Sequence, residues 1–341
     1  MDKQMNWNSL AKKQQQLQFS GSIHVRRSGE TILSESFGYA IYSEGIVNQS
    51  STRFSIASGS KIFTSIAICQ LVDEGKITFD TKIIDCLDIN FPYFDERITI
   101  HHLLTHTSGV PDYFDEEEMD DFEVLWETLP MYHVRNAEDF LPMFQQKKMQ
   151  GKVGGPFKYN NTGYIILGLV IEQISGMDFV DYIEKNIFQK AGMNDSGYFP
   201  MDELPGNISI GYIKKSDGTW KSNIFSLPAK GGPDGGAYVT ATEMGAFWEA
   251  LMNGRLLSKE MTRILLTPQE KVADDIFYSY GGYLQTNEHG VVKYIQMGYD
   301  PGVNFRSVHY PEQDLTIIVC SNKSEGAFEM LKEIESLTII K

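Results

Sequence analysis

Residues 1–18 are polar and rich in glutamine, with Gln14-Gln15-Gln16 near their end, and are read as a leading helix. The period then shortens to two. Ile23 and Val25 alternate with polar neighbours, Ser28-Gly29-Glu30 carries a turn signal, and Thr31-Ile32-Leu33 resumes the alternation, so Ser20 to Gly38 predicts a hairpin. From Lys61 the period lengthens. Ile62, Phe63, Ile66, Ala67, Gln70 and Leu71 recur at helical spacing until Gly75 stops them. Ser58 and Ser60 stand at the start of that helix, where short polar side chains cap free N–H groups.

The middle of the chain reads as helices and loops. Ile98 to Gly109 predicts a short helix closed by a turn, and Asp115 to Asp121 is an acidic run read as a solvated face, or more sharply as a lid disfavouring anionic substrates. Two further helices are expected over about Gly163–Ile174 and Phe179–Ala191. Four glycines and a proline between Gly231 and Gly236 read as an ordered loop at a cleft edge, followed by a helix from Thr240 to Met252. Val291–Met297, Phe305–Tyr310 and the β-branched Leu315–Cys320 predict strands, and Glu325–Leu337 a closing helix. Strands near both ends around a helical middle predict an α+β fold whose antiparallel sheet joins the two ends of the chain.

Composition narrows the function classes. The 341 residues, 42% of them hydrophobic, suffice for a large core and a cleft, and a net charge of −15 argues against a nucleic-acid partner. Three cysteines, Cys69, Cys86 and Cys320, cannot all pair within one chain. The N-terminus lacks an apolar leader and no long apolar run suggests a membrane span, so the expected compartment is the cytoplasm. His102 and His106, four residues apart, lack the acidic partner of a metal-binding helix, and no metal or cofactor is expected. The aromatics Trp126, Tyr132 and Phe140 are read as core.

Two short motifs carry chemistry. Ser58-Gly59-Ser60-Lys61 places a serine and a lysine three apart, on one face of a helix, where Lys61 can take the hydroxyl proton of Ser58. Ser9 and Lys12 share the spacing within the polar leader and are read as coincidence. Tyr159-Asn160-Asn161 lies just before the Gly163 helix. A phenol beside an ammonium can act as a base, and Asn161 can hold the lysine or a substrate carbonyl; a turn tyrosine with an Asn-Asn cap is the plainer alternative.

With these residues in view, the chain resembles the serine β-lactamase and penicillin-binding-protein superfamily, in its class C and esterase-like branch. The resemblance rests on Phe54–Thr64, Leu71–Asp80, Ile98–Gly109, Tyr159–Tyr164, Gly192–Ser196, Pro301-Gly302 and Ser321-Asn322, spread from about Ser20 to Asn322. It implies one catalytic unit over 1–341, with an α/β lobe from 1–75 and 200–341 and a helical lobe from 76–199. It also implies an acyl-enzyme at Ser58, proton transfer by Lys61 and Tyr159, and orientation by Asn161. The family's third motif, K-T-G or H-x-G, is replaced by Gln296-Met297-Gly298, so a neutral Gln296 stands where a cation would meet a substrate carboxylate. Gly298 is expected to let the backbone approach, with the N–H groups of Tyr299 and Ser58 forming an oxyanion hole. The expected substrate is a small ester, amide or D-amino-acid peptide. A true β-lactamase or D,D-peptidase, and a binding module that has lost its chemistry, are the alternatives; the sequence leaves the oligomeric state open.

Overall fold

The computed structural model describes residues 8–115, 119 and 122–339. The predicted sheet is formed by both chain ends. Its strands are β1 (Gly21–Arg27), β2 (Glu30–Phe37), β3 (Glu270–Lys271), β4 (Ile276–Ser279), β5 (Gly282–Asn287), β6 (Gly290–Asp300), β7 (Val303–Tyr310) and β8 (Leu315–Ser321). They lie in the order β2-β1-β8-β7-β6-β5-β4-β3, and every pairing is antiparallel. β1 meets β8 in register from Gly21↔Ser321 to Arg27↔Leu315, which joins the two chain ends.

The strand period explains the layers. In β8, Leu315, Ile317 and Val319 turn to one face and Ile318 and Cys320 to the other, and all are buried. The first set packs with Leu10 of α1 (Asn8–Leu17) and with Met330, Leu331 and Ile334 of α5 (Ala327–Thr338). The second set joins the larger core, which contains α2 (Lys61–Asp73), α3 (Asn161–Ser175) and α4 (Ala241–Met252). Trp248 of α4 is fully buried against the sheet and satisfies its indole N–H on Ser307 Oγ of β7 at 2.7 Å.

Four details differ from the sequence reading. The hairpin β4–β5 was not expected there: its aromatic alternation is broken by Gly281-Gly282 and fades into Gln285, Thr286 and Asn287. Ser58 and Ser60 do not cap α2. They lie in a 3-10 turn, Ala57–Ser60, and Ser60 instead donates to the Ala57 carbonyl at 2.8 Å and accepts from the Ala237 N–H at 2.9 Å. Phe140 joins the core and Trp126 packs against it, as read, and both also line a recess beside Ser58, but Tyr132 is exposed. Asp115, the first residue of the acidic run, is buried and ion-paired with Lys158 at 2.7 Å, whereas Glu116–Glu118, Asp120 and Asp121 lie outside the described residues.

α2 and α3 are buried along most of their length, and the loop Gly231–Gly236 closes over them. Thr64 Oγ1 donates to the Pro233 carbonyl at 2.6 Å. On the α3 side Gly168 admits Pro233, because a Cβ there would stand 2.0 Å from Pro233 Cγ. Gly168→Ala is therefore expected to push the loop from the helix pair and to lower stability by about 1–3 kcal/mol, read from urea denaturation. An unchanged midpoint would show that the loop is not wedged there.

Candidate active site

The Ser58 turn is built under local strain. Ala57, fully buried, adopts φ +47, a left-handed conformation disfavoured for any residue with a Cβ. Its carbonyl is held by the Ser60 hydroxyl and by the Gly236 N–H at 3.1 Å, while Phe54-Ser55 pairs with Tyr238-Val239. Gly59 is required on the other side, where a Cβ would meet the Phe305 ring at 2.5 Å. The serine is thereby lifted to the cleft ahead of α2.

Lys61, the first residue of α2, is 1% exposed. Its Nζ lies 3.0 Å from Ser58 Oγ, 2.8 Å from Asn161 Oδ1 and 2.6 Å from the Asp234 carbonyl oxygen. Two of these acceptors are fixed. Asn161 is oriented by its Nδ2, which donates to the Phe114 carbonyl at 3.2 Å, and Asp234 sits in the glycine loop. The third direction faces the serine. As an ammonium Lys61 donates there; as an amine it presents a lone pair to the serine proton. Tyr159 completes the group, its ring centroid 4.9 Å from Nζ.

The Tyr159-Asn160-Asn161 segment is held by its neighbours. Asn160 caps α3, its Oδ1 accepting from the Gly163 N–H at 2.7 Å, so the cap and the site coexist. His106, at φ +58, accepts the Asn160 N–H on Nδ1 at 3.0 Å and the Lys158 N–H on its carbonyl at 3.0 Å, and its ring lies 4.6 Å from that of Tyr159. Complete burial, aided by the Lys61 charge, holds its pKa well below the usual imidazole range, so it stays neutral. His102 serves in the capping box of Ile100–Leu104. Among the described residues no cluster of His, Cys, Asp and Glu is arranged to hold a metal.

Asp112 went unnoticed in the sequence. Its carboxylate accepts the N–H groups of Asn161 at 2.9 Å and Thr162 at 2.9 Å, at the start of α3. Asp234 is a second buried acid beside Lys61. Burial raises its pKa, the lysine opposes that rise, and the Tyr113 hydroxyl donates to it at 2.5 Å. Neither acid stands in a recognisable short motif; only the proline-aspartate steps of Val110-Pro111-Asp112 and Pro233-Asp234-Gly235 mark them as ordered turns.

The third-motif residues separate. Gly298 of β6 faces the turn so closely that a Cβ would lie 2.0 Å from the Ile56 carbonyl oxygen and 2.9 Å from the Gly59 nitrogen. β5 pairs with β6 only as far as Ile295, leaving the stretch from Gln296 to Asp300 with β7 on one side and the serine turn near the other. Tyr299, with a 50% exposed side chain, borders the open basin at Ser58 together with Met297 and Gly298. Gln296 is not brought to that wall. It is 3% exposed and sits under the sheet, its amide so near Gly282 that a Cβ there would stand 2.3 Å from Nε2. Lys293 points to α5, paired with Glu335 at 2.7 Å.

The beta-lactamase family profile matches residues 10–338. The crystal structure of a penicillin-binding protein from Bacillus halodurans is similar with a TM-score of 0.93 and 50% sequence identity, over 96% of this chain and 99% of that one. A penicillin-binding protein of Bacillus subtilis (strain 168) is 29% identical over 324 residues, 90% of this chain and 69% of its own length. A teichoic acid D-alanine hydrolase of Staphylococcus aureus (strain NCTC 8325 / PS 47) is 24% identical over 287 residues, 82% of this chain and 66% of its own length.

Two predictions follow from the packing. Gly298→Ala is expected to displace β6 from the serine turn and to lower kcat/KM about 100- to 1000-fold, the scale of losing one oxyanion donor; an unchanged rate would remove β6 from the oxyanion site. The second concerns Asp112, whose carboxyl is pushed up to about 7 by burial, against its N–H donors and Lys61. Between about pH 4 and pH 7 the native state keeps a proton that the unfolded chain, with an ordinary carboxyl, has lost. The stability from this group is full below about pH 4 and declines as pH rises to about 7. Thermal melts across that range are expected to show the native protein losing ground to Asp112→Asn as pH rises. A pH-independent difference would contradict the assignment.

Proposed function

Since the chain belongs to the beta-lactamase family, whose members include serine hydrolases, we propose that it forms an acyl-Ser58 intermediate on a small ester, amide or D-amino-acid peptide and releases the acyl group to water. The observation that carries this reading is the Lys61 Nζ, 3.0 Å from Ser58 Oγ with its other two directions taken by Asn161 and the glycine loop.

Ser58 Oγ attacks the substrate carbonyl carbon, and its proton passes to Lys61 and Tyr159. The carbonyl oxygen takes up the negative charge and is met by the N–H groups of Ser58 and Tyr299. Collapse breaks the bond to the leaving atom, which receives its proton from Tyr159. Water then attacks the acyl carbon and gives its proton to Tyr159, the bond from the acyl carbon to Ser58 Oγ breaks, and the proton returns through Lys61 to that oxygen. Asn161 keeps Lys61 in line throughout.

The similarity to penicillin-binding proteins favours a second reading, in which penicillins acylate Ser58 and D-alanyl peptides are the substrate. A neutral Gln296 held beneath the sheet weighs against it, because it offers no charge to a penicillin carboxylate. Rapid stoichiometric labelling by a fluorescent penicillin would favour the second reading.

Ser58→Ala is expected to abolish hydrolysis of p-nitrophenyl esters while the fold, followed by circular dichroism, stays intact. Lys61→Ala is expected to slow acylation by a factor of at least ~100. Full turnover in the Ser58 variant excludes it as nucleophile.

A further inference from the structure

Two recesses meet at Ser58. One, of about 730 Å³, is walled by aromatic side chains, among them Tyr113, Trp126, Phe140 and Phe199. The other is an open basin that Tyr159 borders, and Tyr159 is not on the wall of the first. The group that protonates a leaving atom has to touch it. The acyl portion therefore takes the aromatic recess, which Asn161 also lines.

That recess carries negative charge. Asp234 and Asp300 border it, and no lysine, arginine or histidine does among the described residues. Asp234 is 9% exposed, and its carboxylate forms no ion pair among the described residues; one side chain, that of Tyr113, donates to it. Lys61 bonds to the Asp234 backbone carbonyl at 2.6 Å and acts on the carboxylate only from further away. Asp300 closes β6, and its charge, like that of Asp234, acts on the Tyr113 hydroxyl, so both acids lie near one phenol. A carboxylate taken out of water without a cation beside it carries a desolvation cost that an incoming cation offsets. Aromatic faces attract the same charge. The position along the recess is also set. Lys61 Nζ, bound to the Asp234 carbonyl, is 3.0 Å from Ser58 Oγ, which places this acid at the serine end. A cation bound there stands next to the carbonyl that Ser58 attacks, as the amino group of an aminoacyl ester does.

We propose that Asp234 and Asp300 bind an ammonium on the acyl portion of the substrate, so that the protein accepts aminoacyl esters or amides whose amino group is free. This rests on the acyl-Ser58 reading and names the acyl half of the substrate. It assigns the two acids as specificity-determining residues. An acyl group whose nitrogen is blocked as an amide, as in the interior of a peptide, brings no charge to the recess and forfeits these contacts.

The experiment uses three thiobenzyl esters that share a benzyl side chain and its configuration: D-phenylalanyl, N-acetyl-D-phenylalanyl and (R)-3-phenyllactyl, in which a hydroxyl replaces the ammonium. The native protein is expected to prefer the D-phenylalanyl ester in kcat/KM, beyond the ratio of the three in hydroxide-catalysed hydrolysis. Asp234→Asn and Asp300→Asn are each expected to reduce the D-phenylalanyl to phenyllactyl ratio about 10- to 100-fold, the scale of a hydrogen bond to a charged group, and Asp234→Glu to keep part of the preference. A merely structural role, or an effect exerted through Lys61, would slow all three esters alike and leave the ratio untouched. Native parity with or preference for either uncharged ester, or a ratio unchanged in either asparagine variant, overturns the proposal. So does failure to cleave the D-phenylalanyl ester while a fluorophosphonate labels Ser58, a result that leaves the acyl-Ser58 reading standing. Failure to cleave any of the three, with no labelling of Ser58, overturns that reading and the proposal with it.

Discussion

A lysine nitrogen taken out of water is the constraint around which this molecule is arranged. Burying Lys61 is costly unless its N–H groups find oxygen, and the oxygens it meets include Ser58 Oγ just before α2, Asn161 Oδ1 at the head of α3 and the Asp234 carbonyl in the glycine loop. To satisfy one side chain, these segments have to converge. Their convergence also puts a serine hydroxyl, a lysine nitrogen and a phenol ring side by side.

The surrounding structure reads as support for that convergence. Asp112 and Asn160 hold the first turn of α3, and neutral His106 grips the backbone on both sides of Tyr159. Ala57 is kept in a strained conformation by hydrogen bonds from Ser60 and Gly236. The sheet contributes through absence of bulk: Gly298 lets β6 come against the turn. The result is a serine set between an aromatic recess and an open basin.

Local pattern made much of this legible. The period of two placed β1, β2 and β6 to β8, and the helical period placed α2, α3, α4 and α5 within a few residues. The spacing of Ser58 and Lys61 and the Tyr159-Asn160-Asn161 triplet pointed to residues that the fold brings into one group. What escaped were relations between distant segments. Asp112 and Asp234 matter because of where α3 and the glycine loop end up, and no short window shows either. Gln296 is different. Its distance of two from Gly298 fixes it on the same sheet face as a residue pressed against the turn, so its burial followed from parity alone. Phe140 belongs to the core and Trp126 packs against it, and only the recess between elements shows that they also line the space beside Ser58.

The central claim is covalent: the acyl group passes through the oxygen of Ser58. Mass spectrometry of the intact protein, quenched in acid within seconds of mixing with an activated ester, reads this directly. The account predicts one added acyl mass, located by peptide mapping to the segment containing Ser58 and decaying as product accumulates. Product formation at full rate with the acyl mass on another residue would contradict it.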